Sequence, residues 1–360
     1  MKPSLLQPVR RIVLSTVLST LTLTSVHAEP LAALAPDPQM KAVLDKLATL
    51  GGKPIEGLTP AEARKQPSPA DAVAALMKDQ GKTGPEKVVA VKDIEMDLST
   101  GQVAARIYQP EGTGPFPVIL YVHGGGCVIA GLDTYDATPR ALANLTGALV
   151  ISTTYRQAPE FKFPAAHDDV FGAYVWTLGN AHRWKANTKK VAIVGESAGG
   201  NMAAAVCIMA KEKDMQAPVH QVLIYPVADT AMNTTSYQQN AGAKPLSAAM
   251  MKWFATHTFA KPEDALLPRI ALLKVKSFEG LPSATIITAA IDPLRSEGEA
   301  LAARMKADGV EVMYRNFDGV THEFFGMAAV VDKAKAAQIL VANQLKAAFA
   351  DSTGQPPAAK

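Results

Sequence analysis

The sequence feature that most constrains the fold is an apolar, strand-like run that leads directly into a Gly-x-Ser-x-Gly motif. Residues 191–194 form the run, small residues typical of a buried helix come after the motif, and the motif itself is Gly195-Glu196-Ser197-Ala198-Gly199. A serine at the apex of a strand-to-helix turn has strained backbone, and side chains two positions before and after it would collide with the strand and the helix. This order therefore predicts a nucleophile elbow with Ser197 at its apex. The alternative is a tight turn in which Ser197 only caps the helix.

The first 28 residues resemble a secretory signal peptide. Three cations, Lys2, Arg10 and Arg11, precede an apolar stretch with interspersed serine and threonine, and Ala28 supplies a small residue at the cleavage point. The stretch is short for a membrane span, so an uncleaved anchor is the less favoured interpretation. We therefore expect a periplasmic or secreted protein that has no stable membrane span after cleavage.

Charge and cysteine content exclude several classes of partner. The formal net charge of +3 falls to zero when the three cations of the signal segment are removed, so nothing indicates a nucleic-acid partner. No spacing of cysteine and histidine is typical of a zinc site, and we expect no metal. Cys127 and Cys207 are expected to stay free thiols, because Cys207 lies several helical turns beyond the elbow.

The segment 86–350 alternates between strand and helix patterns. Predicted strands cover residues 88–94, 103–108, 118–122, 148–153, 191–194, 219–225, 284–289 and 310–317. Predicted helices cover residues 141–145, 165–178, 198–211, 298–307 and 327–349. This alternation predicts an α/β fold with a mostly parallel central sheet flanked by helices.

Two further segments are predicted to form a helical cap. Helix patterns at 40–50 and 70–77 fall within residues 29–85, before any strand. An insertion at about 230–280 carries an amphipathic pattern over 247–257, which includes Trp253 and Phe254. Ordinary packing explains this aromatic stripe, and in the functional interpretation it also packs on the first helices and roofs an acyl pocket. Residues 351–360 are polar and Pro-rich and are predicted to be a disordered tail.

A glycine triplet follows the buried run 118–122, at the carboxyl end of a predicted central strand. Open α/β sheets bind their ligands at that end, and glycines let backbone amides approach a substrate oxygen closely. Gly124, Gly125, Gly126 and Ala198 are therefore predicted to form an oxyanion hole, with the amides of the last three as donors. A flexible loop without a ligand is the alternative, and His123, which precedes the triplet, is expected to brace the loop.

A nucleophilic serine needs a base, and the base needs a group that fixes its tautomer. Of the histidines after the elbow, His220 begins a strand and His257 lies on the predicted cap helix, so both are expected to be structural. His322 follows the last strand in a loop that places its imidazole within reach of the elbow. His322 is therefore the predicted base.

The orienting acid is expected in the loop after the preceding strand. Asp292 stands there, and the order Ser197, Asp292, His322 is that of an α/β-hydrolase triad. Asp292 as a simple helix cap is the alternative. Asp318 and Glu323 are rivals for the acid role, but as close neighbours of the histidine they are poorly placed to bond its ring.

Five blocks of sequence, spread over residues 87–349, resemble the bacterial hormone-sensitive-lipase-like esterases of the α/β-hydrolase superfamily. The blocks are His123-Gly124-Gly125-Gly126, Tyr155-Arg156-Gln157-Ala158-Pro159-Glu160 followed by Phe163-Pro164-Ala165-Ala166, Gly195-Glu196-Ser197-Ala198-Gly199-Gly200, Asp292-Pro293-Leu294-Arg295 and His322-Glu323-Phe324. The resemblance implies a carboxylic-ester hydrolase with a two-part helical cap, a small-molecule ester substrate and no cofactor. It also implies that Gly125, Gly126 and Ala198 form the oxyanion hole, and that the cap encloses a small pocket suited to short acyl chains.

Two positions depart from the family pattern. Cys127 stands where an aromatic residue usually follows the glycine triplet, which leaves the shape of the acyl pocket open. Thr154 stands where an aspartate is common, which alters at most a brace under the loop. Cleavage of an amide, lactone or thioester by the same triad, and ligand binding without catalysis, are the alternative functions.

Overall fold

The computed structural model describes Met1, residues 34–82 and residues 84–351. The chain divides into a short unit, Met1–Ala32, and a large unit, Ala33–Lys360, and the description below concerns the large unit. The predicted signal peptide, apart from Met1, and residues 352–360 of the predicted tail lie outside the described residues. No helix within the described ranges is both long and apolar enough to cross a bilayer.

The described chain builds one eight-stranded sheet in the order β1-β2-β4-β3-β5-β6-β7-β8. Its strands are β1 Ala90–Leu98, β2 Gly101–Gln109, β3 Phe116–Val122, β4 Leu149–Thr153, β5 Ala186–Glu196, β6 Gln221–Ile224, β7 Ala284–Ile291 and β8 Val312–Thr321. The β1–β2 and β2–β4 pairs are antiparallel, and the other neighbouring pairs are parallel. The prediction of a mostly parallel sheet is therefore confirmed.

Helices cover both faces of this sheet because its central strands are apolar on both sides. The α-helices are α1 Pro38–Thr49, α2 Pro60–Ala63, α3 Pro69–Asp79, α4 Ala137–Thr146, α5 Ala165–Asn180, α6 Ala198–Glu212, α7 Thr235–Gln239, α8 Ala248–Thr258, α9 Arg295–Ala307 and α10 Asp332–Ala350. Helices α5, α6 and α9 contribute to one buried core, which includes Leu120 of β3. Helices α4 and α10 contribute to the core on the other face, which includes Ile119.

The segment before β1 contacts two different parts of the fold. Met40 of α1 and Ala72 of α3 belong to the core that α4 and α10 also build. Ile55 and Ala63, by contrast, share a smaller apolar cluster with Trp253 and other residues of α8. The part of the segment that contacts the insertion is therefore the stretch between α1 and α3, which includes α2.

Two predicted boundaries differ from the structure near the end of the chain. The last strand continues to Thr321 rather than ending at residue 317, because Thr321 still pairs with Ile291 of β7 beyond a register shift. The final helix begins at Asp332 rather than at residue 327. Phe324–Met327 forms a separate 3₁₀ turn that buries Phe324 and Phe325, so the apolar residues there belong to the turn and not to the helix.

Candidate active site

The strand-to-helix turn at Ser197 has the geometry expected of an elbow. Strand β5 ends at Glu196, α6 begins at Ala198, and Ser197 between them has φ 57° and ψ −120°, which is strained for a residue with a side chain. A Cβ atom on Gly195 would stand 2.1 Å from Gly199 O, and one on Gly199 would stand 2.1 Å from Val122 O. A larger residue at Gly195 would therefore force β5 away from α6, and one at Gly199 would force α6 away from the end of β3.

The side chain of Ser197 does not cap α6. It makes no hydrogen bond to the first turn of that helix, and its Oγ lies 2.9 Å from Nε2 of His322. The simple capping alternative for this serine therefore does not describe the structure.

Ser197, His322 and Asp292 lie in one continuous line of hydrogen bonds. His322 Nδ1 lies 2.7 Å from Asp292 Oδ2, on the side of the ring opposite to Ser197. The three residues follow the carboxyl ends of β5, β8 and β7, which meet at the same edge of the sheet. All three side chains are buried.

The partners of His322 determine its tautomer. A carboxylate can only accept, so the neutral imidazole carries its proton on Nδ1 and donates it to Asp292. Nε2 is then left with a lone pair that accepts the hydroxyl proton of Ser197. Burial by itself lowers the pKa of His322, but the charge and hydrogen bond of Asp292, followed by the charges of Glu323 and Glu196, raise that pKa above its ordinary value.

Asp292 is held in place by neighbours that the sequence analysis missed. Its Oδ1 accepts the amide of Leu294 at 2.9 Å, and its backbone oxygen accepts the side-chain amide of Asn240 at 3.1 Å. Asn240 is buried and also bonds Ala290 O. No sequence pattern distinguishes Asn240 from the other polar residues of the insertion.

The glycine loop lies next to the elbow. Gly124 is close to Ser197, since a Cβ atom there would stand 3.1 Å from Ser197 Cβ. Within residues 34–82 and 84–351, no backbone or side-chain acceptor takes the amides of Gly125, Gly126 or Ala198. The two loops thus supply three backbone N–H groups that no acceptor in the described part of the chain engages.

His123 braces the glycine loop. Its ring stacks on Tyr155 at 4.4 Å between centroids, and its Nδ1 donates to Gly124 O at 2.8 Å. Tyr155 donates its hydroxyl to the same oxygen at 2.8 Å. Burial lowers the pKa of His123 to about 4, so the ring is neutral. Its Nδ1 is engaged by Gly124 O, and the ring nitrogen that contacts Ser197 Oγ belongs to His322, so His123 is not the base for Ser197.

The other titratable candidates lie in different surroundings. His220 contacts the hydroxyls of Ser283 and Thr285, and His257 lies on α8 against Trp253.

The two rival acids do not bond Nδ1 of His322. Asp318 is exposed and accepts from Asn316. Glu323 Oε1 lies 3.8 Å from Nε2 of His322, so the acid bonded to Nδ1 is Asp292 and neither of its rivals.

Glu196, inside the Gly-x-Ser-x-Gly motif, is a buried carboxyl group that the sequence analysis did not single out. It accepts the hydroxyls of Tyr121, at 2.5 Å, and of Tyr225. Burial, followed by the charge of Glu323, raises the pKa of Glu196 to about 7 against the opposing effect of these hydrogen bonds. The ring of Tyr225 lies 4.5 Å from that of His322, so this hydrogen-bonded network also packs against the histidine.

An aromatic residue of α8, Phe254, covers the glycine loop. A Cβ atom on Gly126 would stand 2.3 Å from Cδ1 of Phe254, which shows how closely the ring approaches the backbone. Trp253 donates its indole N–H to Leu58 O at 3.0 Å and so joins α8 to the segment before α2. Cys127, the residue after the triplet, is buried and free, as is Cys207.

The described residues contain no cluster of three or more His, Cys, Asp and Glu side chains that could hold a metal ion. The site offers a hydroxyl, an imidazole and a carboxylate in line, beside the backbone amides of the glycine loop and of Ala198. That arrangement can support nucleophilic attack on a carbonyl carbon.

Comparison with known proteins gives a consistent result. Residues 119–326 match a family model described as alpha/beta hydrolase fold. Over 298 residues the chain is 31% identical to an ethyl acetate hydrolase of Pseudomonas putida, covering 81% of this chain and 92% of the relative. It is 33% identical over 270 residues to the carboxylesterase NlhH of Mycobacterium tuberculosis, covering 73% of this chain and 84% of the relative.

Solved structures agree with these sequence matches. An esterase from the archaeon Pyrobaculum calidifontis superposes with a TM-score of 0.79 at 32% sequence identity, and the alignment covers 87% of this chain and 99% of that one. Another structure of an esterase from the same organism gives a TM-score of 0.76 at 35% identity, covering 81% and 94% of the two chains.

Proposed function

Because this chain belongs to the α/β-hydrolase family, among the esterases related to hormone-sensitive lipase, and is an ester-hydrolysing enzyme, we propose that Ser197, His322 and Asp292 carry out the hydrolysis as a catalytic triad. The observation that carries the proposal is the unbroken line of contacts from Ser197 Oγ through both ring nitrogens of His322 to Asp292, at 2.9 Å and 2.7 Å. The tautomer that Asp292 imposes is the one that a general base at Nε2 requires.

In the acylation half-reaction, His322 Nε2 takes the hydroxyl proton as Ser197 Oγ attacks the ester carbonyl carbon. The carbonyl oxygen becomes an oxyanion, and Asp292 stabilises the imidazolium. Protonated His322 then gives its proton to the alcohol oxygen, the carbon–oxygen bond breaks, and an acyl-enzyme ester on Ser197 remains. Water attacks this ester with the same proton transfers and releases the acid.

We assign the oxyanion hole to the glycine loop and the start of α6. The amides of Gly125, Gly126 and Ala198 are the proposed donors, and Gly124 is the small residue that lets the loop approach Ser197. Their lack of acceptors within the described chain supports this assignment. Ala198 also opens a 15-residue helix, whose amino end favours developing negative charge. Loss of one such donor typically reduces the rate by about 10²- to 10³-fold.

The proposed substrates are esters of short acyl chains. Phe254 lies directly over Gly126, and the apolar cluster around it joins α8 to Ile55 and Val128, so the space above the loop is enclosed by side chains. The name of one relative, ethyl acetate hydrolase, is that of an enzyme for a two-carbon acyl group. A rate series of p-nitrophenyl esters from acetate to palmitate tests the preference, and a maximum at long chains would contradict it.

We also propose that the enzyme is exported and acts in the periplasm or outside the cell. The support is the sequence of residues 1–28, with its cationic start, apolar stretch and small residue at Ala28. The test is the mass of the exported protein. Loss of residues 1–28 is expected, and their retention would favour a membrane anchor.

The triad is tested with Ser197→Ala in the purified mature enzyme. Turnover of p-nitrophenyl butyrate should fall to background, whereas Ser277→Ala, a serine whose Oγ accepts the Glu279 amide, should leave turnover unchanged. A fluorophosphonate should label the wild-type protein and the Ser277 variant but not the Ser197 variant. Full activity of Ser197→Ala would refute the assignment. A panel that adds amides, lactones and thioesters defines which acyl bonds the same triad cleaves.

A further inference from the structure

A second carboxylate lies on the side of His322 that faces Ser197. Glu323 Oε1 is 3.8 Å from Nε2, the nitrogen that contacts Ser197 Oγ at 2.9 Å, whereas Asp292 bonds the opposite nitrogen. The imidazole thus has a carboxylate near each nitrogen. At 3.8 Å Glu323 does not form a hydrogen bond, so it leaves the Nε2 lone pair to Ser197 and acts through its charge.

Glu323 is held in this position by Tyr135. The Tyr135 hydroxyl donates to Glu323 Oε1 at 2.6 Å, and a Cβ atom on Gly124 would stand 2.3 Å from the same hydroxyl oxygen. The contact therefore ties the histidine loop to the glycine loop. Glu323 also has φ 68°, in the left-handed region that residues with side chains rarely occupy, so the fold holds this side chain at an energetic cost.

We propose that Glu323 is a positioning residue: its carboxylate, oriented by Tyr135, stabilises the positive charge that His322 acquires when it takes the Ser197 proton. This inference rests on the proposed function of the triad. An opposite charge within about 4–6 Å favours the charged form of a titrating group. The imidazolium exists only after proton transfer, so Glu323 interacts more strongly with the transition state than with the resting site.

Several other groups face the same pair. His322 contacts Asp292, Ser197 and the ring of Tyr225, and it also feels the charge of Glu196. Burial raises the pKa of Glu323, and the charge of Asp292 adds to this, whereas the charge of His322 and the Tyr135 hydrogen bond lower it. Removing the Glu323 charge therefore lowers the pKa of His322, and removing the Tyr135 hydroxyl favours protonation of Glu323.

The experiment compares Glu323→Gln and Glu323→Gly with wild type. The glutamine preserves the shape and can still accept from Tyr135, and the glycine suits φ 68°, so the glycine variant carries the test if the glutamine variant does not fold. The readouts are the acid limb of kcat/KM against pH and the NMR titration of the His322 imidazole in the resting protein. Asp318→Asn is the matched control, because it removes an exposed charge near the end of β8, a few residues before Glu323.

We expect both Glu323 variants to move the acid limb and the NMR midpoint to lower pH by about one unit. Their kcat should fall by up to about tenfold with KM unchanged. Tyr135→Phe should shift both in the same direction, and adding it to Glu323→Gln should shift them no further. Unchanged midpoints in both active Glu323 variants would overturn the role of Glu323 and leave the triad intact, whereas full activity of Ser197→Ala would overturn the proposed function itself.

Discussion

Phe254 lies so close to the backbone of Gly126 that a Cβ atom on the glycine would stand 2.3 Å from Phe254 Cδ1. Gly126 has φ 59°, so its backbone already occupies a conformation that suits glycine. The glycine lets the loop pass directly beneath an aromatic ring of α8. The space next to the proposed oxyanion hole is thus bounded by one side chain from a distant part of the sequence.

Replacement of Phe254 by leucine is therefore expected to change acyl-chain preference. The smaller side chain opens space above Gly126, so the maximum rate should move from acetate and butyrate esters toward hexanoate or longer esters. The measurement is kcat/KM for a p-nitrophenyl ester series. Met250→Leu, a volume-conserving change on the same helix, should leave the series unchanged. An identical chain-length profile for Phe254→Leu would show that this ring does not limit the pocket.

Replacement of Asp292 by asparagine is expected to reduce kcat by about 10³- to 10⁴-fold. The neutral amide no longer fixes the tautomer with the proton on Nδ1, and it cannot stabilise an imidazolium. Because Asp292 raises the pKa of His322, and activity requires neutral His322, the wild-type rate should fall as pH drops through that raised pKa. The residual activity of the variant should persist to lower pH. A wild-type-like kcat would exclude Asp292 as the acid.

Much of the fold follows from residues whose pattern has a single interpretation. The run that contains Ile119 and Leu120 is apolar at every position because both faces of β3 are buried. The alternation of such strands with helices implies parallel strands, and parallel strands end at a common edge. That is why positions as far apart as Ser197 and His322 could be expected to meet.

The contacts that hold the site together could not be predicted in the same way. Tyr121 and Tyr225 occupy apolar runs in which a tyrosine looks like another core residue, and their bonds to Glu196 depend on how three strands are placed. Asn240 and Tyr135 lie in segments without strand or helix periodicity. Their partners are fixed by tertiary packing, which no local pattern encodes.

The buried carboxyl of Glu196 predicts a specific pH dependence of stability. Its pKa is raised from 4.5 to about 7 in the folded protein, so the folded state binds the proton more tightly than the unfolded state. The stabilisation that comes from tighter proton binding at Glu196 is fully present below 4.5, the pKa of this group in the unfolded chain. It is lost as pH rises through about 7, the pKa in the folded protein. Relative to Glu196→Gln, which does not titrate, the wild type should lose roughly 3 kcal/mol between pH 4.5 and pH 7. Urea unfolding of both proteins across this range measures the difference, and parallel curves would contradict the prediction.

Arg64 joins α2 to the chain that follows the glycine loop. Its guanidinium donates to Val128 O and Ala158 O, each at 2.8 Å, and pairs with Glu160 at 2.7 Å. The amide of Val128 in turn donates to Gly125 O at 3.0 Å. The arginine therefore supports the backbone next to a proposed oxyanion-hole donor.

Arg64→Lys and Glu160→Gln separate the carbonyl contacts from the ion pair. The side chain of Glu160 is 53% exposed, so loss of this pair should change the free energy of unfolding by less than about 1 kcal/mol. A lysine cannot reach both carbonyls and Glu160 at once, and buried acceptors left without donors cost about 1–3 kcal/mol. Arg64→Lys should therefore destabilise the protein by that amount in urea unfolding and lower kcat several-fold, because the loop at Gly125 loses support. If both variants lose equal stability, the ion pair and not the carbonyl contacts is the stabilising feature.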